Sequence, residues 1–60
     1  MSDRIAHRLL VERKYQGLSQ RELAEKAGVS VRTINSIENG GDSNLSVIHK
    51  IESALKVKLY

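Results

Sequence analysis

The chain has no cysteine, no proline, no tryptophan and no phenylalanine, and only two tyrosines among its 60 residues. Without cysteine there is neither a disulfide staple nor a thiolate metal site. The two histidines, His7 and His49, stand too far apart in sequence to form a local ligand pair, so no metal is expected. Two aromatic side chains are too few for a base-stacking platform, which argues against single-stranded or RNA-type recognition. No apolar run approaches the ~18 residues of a membrane span, and there is no signal-peptide core. A soluble, cytoplasmic chain with no membrane contact is expected. Sixty residues make one domain, 1–60, near the lower limit at which a hydrophobic core alone holds a fold. Such a domain offers little scaffold for a substrate cleft. The expectation is a binding module without a cofactor, not an enzyme.

Charge decides little. Ten Lys and Arg stand against seven Asp and Glu, for a formal net charge of +3. The basic residues are scattered, never three in a row, and a soluble domain with a mixed charged surface accounts for them as well as a nucleic-acid partner does.

Punctuation is more informative. With proline absent, glycine marks the stops, and Gly17, Gly28 and the pair Gly40-Gly41 each follow a periodic segment. All four are expected in the left-handed conformation that ends helices. Start signals follow the first two stops closely. Ser19 with Glu22 spells a capping box, and Leu18 with Leu23 a hydrophobic staple. Ser30 repeats the cap, with Val29 before it and Ile34 at the fourth helical position. Asn44 caps a further segment, and Ser2 or Asp3 would cap the first.

The fold expected is therefore all-α, with four, at most five, short helices at about 3–16, 20–27, 31–39 and 45–55. Apolar positions recur at helical spacing in each: Ile5, Ala6 and Leu9; Leu23, Ala24 and Ala27; Ile34 and Ile37; Leu45, Ile48, Ile51 and Leu55. Val57–Tyr60 reads either as a short strand or as a frayed tail. Only Gly28-Val29-Ser30 joins the second helix to the third, a link so tight that the two must cross steeply. A small Ala24 suits that crossing. This is a helix-turn-helix, spanning about 19–39, whose second helix is held out for a groove.

The segment Leu18–Gly40, LSQRELAEKAGVSVRTINSIENG, resembles the helix-turn-helix of phage repressor and Cro proteins, the Xre-type family. The Leu-Ser-Gln opening, Glu-Leu-Ala, the Ala-Gly-Val-Ser turn and the closing Ile-Glu-Asn-Gly carry the likeness. Leu45–Leu55 is similar to that family's fourth helix, so the resemblance covers nearly the whole chain. It implies a lambda-repressor-like bundle. Carried over by position, it implies that Val31, Arg32, Asn35 and Ser36 face base edges and that Gln20 contacts phosphate. Spacing agrees for the first four, since Ile34 and Ile37 point inward and leave 31, 32, 35 and 36 outward. Arg32 suits guanine O6 and N7, Asn35 suits adenine, and Val31 a thymine methyl. Thr33 and Asn39 join Gln20 as phosphate contacts that set register.

The family pattern also pairs an arginine four residues before the first glycine with the glutamate of Ile-Glu-Asn-Gly. Arg13 and Glu38 match it, as a structural ion pair between the first and third helices. Two departures stand out. The loop after Gly40 carries Asp42 and no base, so phosphate contacts there fall to backbone NH groups, Ser43, Asn44 or the fourth helix N-terminus. Many members also have a fifth helix that is not evident here. Elsewhere, His49 and Glu52 lie three apart but lack further ligands, and His49 is better placed at a partly exposed edge. Glu22 is explained by capping. The resemblance implies a sequence-specific double-stranded DNA-binding regulator, a repressor, acting as a homodimer on a two-fold-symmetric operator. The alternative is a protein-interaction module or antitoxin-type component with a toxin or other protein partner.

Overall fold

The computed structural model describes residues 3–41 and 43–59, Asp3 by its backbone alone. Helix α1 spans Asp3–Tyr15, α2 Gln20–Ala27, α3 Val31–Glu38 and α4 Leu45–Leu55. The bounds fall within a residue of those expected from the sequence. Ser2, Asp42 and Tyr60 lie outside the described residues, as does the Asp3 side chain. The cap of α1 and the acid of the α3–α4 loop lie there too.

Each junction is built from its own backbone bonds. Helix α1 ends in a Schellman arrangement: Gly17 N–H donates to the Lys14 carbonyl and Leu18 N–H to that of Arg13. Helix α2 starts on the Ser19 capping box, in which Ser19 Oγ accepts from Glu22 N–H at 3.0 Å and Ser19 N–H donates to Glu22 Oε1 at 2.8 Å. At its other end Gly28 takes φ 73°. There the N–H groups of Gly28 and Val29 both reach the Ala24 carbonyl. Ser30 caps α3 through the Thr33 N–H, and Asn44 caps α4 through the Val47 N–H.

Two stops differ from expectation. Gly41 is not among the residues with positive φ. It is required for space: a Cβ there would lie 2.5 Å from Ser36 Oγ and 2.8 Å from the Ser36 carbonyl oxygen. That carbonyl accepts the Gly41 N–H at 2.8 Å, closing the C-terminus of α3. Helix α4, by contrast, ends without glycine, on Lys56 at φ 60°.

The core is aliphatic. Leu9, Leu23, Ile34, Ile37, Ile48, Ile51 and Leu55 are fully enclosed, and Ile5, Ala6 and Ala24 complete it from α1 and α2. Burying each large side chain is worth about 1.5–3 kcal/mol before chain entropy is set against it. Helix α1 packs on α3, and α2 on both α3 and α4. Leu45, expected inside, is 45% exposed. It occupies the first turn of α4, ahead of the stripe made by Ile48, Ile51 and Leu55. His49 is exposed.

Over residues 56–59 the chain forms neither the strand nor the frayed tail expected. Val57 packs against the core, Leu59 is buried in it, and Leu59 N–H donates to Glu52 Oε2 at 2.7 Å. A carboxylate one to two turns back along α4 takes up the backbone donor a strand partner would have satisfied. The apolar side chain then folds inward. No further helix follows α4 among the described residues.

Candidate nucleic-acid interface

Helix α3 has two unlike sides because eight residues divide cleanly at helical spacing. Ile34 and Ile37 are sealed in the core, and Val31, Arg32, Asn35 and Ser36 are exposed on the other side. Val31 shows 40% of its surface, an apolar side chain at the start of an otherwise polar face. The turn sets this face outward. Val29, half-buried, packs against the core, and Ser30 Oγ meets Thr33 Oγ1 at 2.8 Å, tying the first turn of α3 to its cap.

Behind α3 sits the Arg13–Glu38 pair. Arg13 Nε lies 2.6 Å from Glu38 Oε2 and its Nη2 3.1 Å from Oε1, a two-pronged match of guanidinium and carboxylate. Arg13 Nη1 also donates to the Leu18 carbonyl at 2.7 Å, so one side chain joins α1, the α1–α2 link and α3. Both side chains are at most a tenth exposed. Glu38 closes α3, where a negative charge opposes the helix dipole, and the arginine offsets it. Removing one partner of so enclosed a pair costs about 3–5 kcal/mol.

The expected phosphate-contacting residues are less free than the sequence implies. Gln20, half-buried, donates through Nε2 to Glu38 Oε1 at 3.0 Å and accepts at Oε1 from Asn35 Nδ2 at 3.4 Å. Asn39 donates to Asn35 Oδ1 at 2.8 Å. Asn44 Oδ1 serves the α4 cap, and Thr33 is half-buried against Ser30. Gln20, Asn35 and Asn39 thus form one line across α2 and α3. Ser43 sits half-buried in the α3–α4 loop.

A family profile described as helix-turn-helix matches residues 11–60. The chain belongs to the Xre-type helix-turn-helix family. It is, on that membership, a DNA-binding regulator with an all-α fold. No curated protein matches the chain significantly. The Xre-type match takes in α2, the turn, α3, α4 and the end of α1 that carries Arg13. Among the described residues there is no enclosed pocket and no cluster of three or more His, Asp or Glu that could hold a metal. Among the same residues no helix is long and apolar enough to cross a membrane.

Three contacts escape sequence reading. Gln16 Nε2 donates to the Leu55 carbonyl at 2.7 Å, capping α4 from the end of α1. Leu59 closes the core, and Glu52 holds its N–H. The line from Glu38 to Asn39 is the third. A polar residue beside a helix end is too common to signal any of them in advance.

Proposed function

We propose that the protein is a transcriptional repressor that binds a two-fold-symmetric duplex as a homodimer, laying one α3 in each of two major-groove segments about 34 Å apart. The supporting observation is the division of α3, whose Val31, Arg32, Asn35 and Ser36 are exposed while Ile34 and Ile37 are enclosed. In this reading Arg32 takes guanine O6 and N7, Asn35 takes adenine, and Val31 meets a thymine methyl, with Ser36 beside them. Gln20, Thr33, Asn39, Ser43 and Asn44 approach phosphates and set the register. Gln20 keeps one Nε2 hydrogen for this after serving Glu38. A single α3 addresses a single half-site, and pairing two copies doubles the contact.

Selection of bound sequences from a random duplex library tests the reading. The selected consensus should be two-fold symmetric, and Arg32→Ala should lower affinity for it about 10–100-fold and relax one guanine position per half-site. Unchanged affinity and base preference would remove Arg32 from the readout. A second reading, a protein-interaction module or antitoxin-type component, draws support from Val11 and Tyr15. They stand one turn apart on α1, 44% and 86% exposed. Undetectable binding to random duplex at low salt would favour it, because phosphate contacts supply even non-specific affinity.

A further inference from the structure

An ionised carboxylate only accepts hydrogen bonds, and Glu38 imposes that one-sidedness on its neighbours. Its Oε1 takes the Gln20 Nε2–H, so the Gln20 amide must turn its nitrogen to Glu38 and leave its oxygen for others. That oxygen accepts from Asn35 Nδ2. With its nitrogen turned to Gln20, Asn35 presents Oδ1 on the opposite side, where Asn39 Nδ2 donates to it. Flipping any one amide would set N–H against N–H or oxygen against oxygen. The line starts at the enclosed Arg13–Glu38 pair and ends on the exposed face of α3.

We infer that Glu38, acting through Gln20, sets the hydrogen-bond polarity of Asn35 and so determines which base, in which orientation, Asn35 accepts. This rests on the reading of Asn35 as a base-contacting residue. Asn35 spends one N–H on Gln20 and one lone pair on Asn39, which leaves one N–H and one lone pair. Those two match adenine N7 and N6, an acceptor beside a donor. Guanine offers two acceptors on the same edge, and one of them would oppose Asn35 Oδ1. Because the amide is held, adenine N7 must lie toward α2 and N6 toward Asn39. A free asparagine would flip to accept either orientation; a held one distinguishes A·T from T·A. Glu38 and Gln20 are then positioning residues for recognition as well as parts of the fold.

The test uses the full chain and the duplex selected from a random library. Asn35→Ala identifies the base pair that Asn35 reads. Gln20→Met keeps the side-chain length and spares the Arg13–Glu38 pair while cutting the line. It should lower A·T over T·A discrimination at that same pair from about tenfold to threefold or less, tenfold lying within the lower part of the range for a bidentate contact. Loss of a phosphate contact alone would weaken all sequences equally and leave discrimination intact. In the free protein the Asn35 and Asn39 side-chain amide resonances should shift in Gln20→Met, with those of the α4 backbone unmoved. Asn39→Ala, on the exposed surface, cuts the line at its far end and should relax the same pair. If Asn35→Ala relaxes a base pair that Gln20→Met and Asn39→Ala leave untouched, the relay is overturned and the base reading stands. If Asn35→Ala relaxes none, the base reading falls and the relay's role with it.

Discussion

Lys56 holds a backbone conformation, φ 60° and ψ 36°, that costs a side-chain-bearing residue about 1 kcal/mol and glycine almost nothing. Its N–H and that of Val57 both reach the Glu52 carbonyl, the same closure that Gly28 and Val29 make on Ala24. Lys56→Gly should therefore stabilise the protein by about 0.5 kcal/mol, the greater freedom of glycine in the unfolded chain offsetting part of the gain. Thermal melting followed by far-ultraviolet circular dichroism should show a midpoint about 2–4 °C higher. A midpoint that stays or falls would mean that Lys56 compensates through a contact of its own side chain. Gly28 was legible because glycine advertises the left-handed residue. Lys56 was not, because tertiary packing of Val57 and Leu59 forces that conformation on an ordinary residue.

Helix α2 depends on its first turn. The Ser19–Glu22 box satisfies two backbone N–H groups, and Ser19→Ala should cost about 1 kcal/mol. Glu22 ionises below the usual glutamate range, chiefly because its carboxylate accepts the Ser19 backbone N–H and secondarily through the Ser19 hydroxyl. The lowered value sets the sign of the pH effect. Ionised Glu22 stabilises the fold above its unfolded pKa, and that contribution disappears as the pH falls through its folded pKa. The stability gap between the wild type and Glu22→Gln, measured by urea denaturation, should be full at neutral pH and close in acid. A gap constant from pH 7 to pH 3 would show that the box is not formed in solution. These signals are local, within four residues of each other, and so were readable from the chain alone. The α3 stop mixed the two kinds: Gly40 was readable as a left-handed residue, whereas Gly41 owes its identity to a Ser36 carbonyl that only the folded turn brings near.

The assembled protein has a core of isoleucine, leucine and alanine, with Tyr15 left 86% exposed. Tyrosine emission from that position is a poor probe of folding, and circular dichroism or urea titration is the better choice. Leu59 sits within this core at 6% exposure. Leu59→Ala should cost at least about 2 kcal/mol and lower the melting midpoint by roughly 10 °C in so small a domain. A free tail would show no change on the same substitution. Gln16 supplies a long-range tie, holding the last carbonyl of α4 from the end of α1. Its bond and that of the Leu59 N–H both fall on α4, which supplies three of the seven fully enclosed side chains.

Four helices, the caps of α2, α3 and α4 and the outward side of α3 were all written in spacing, because each depends on residues three or four apart on one helix or on a cap beside it. The Arg13–Glu38 pair came from likeness to a family and not from any local pattern, its members being 25 residues apart. Folding alone decided the fate of the C-terminal residues and the alignment of Gln20, Asn35 and Asn39. Alternation cannot tell a strand from a segment that folds back, since Leu59 needs only an apolar hollow and a hydrogen-bond acceptor, and Glu52 supplies the second. An amide's orientation is likewise absent from the order of residues. It is set by whichever neighbour can only accept, and bringing Glu38 beside Gln20 is the work of three helices packed together.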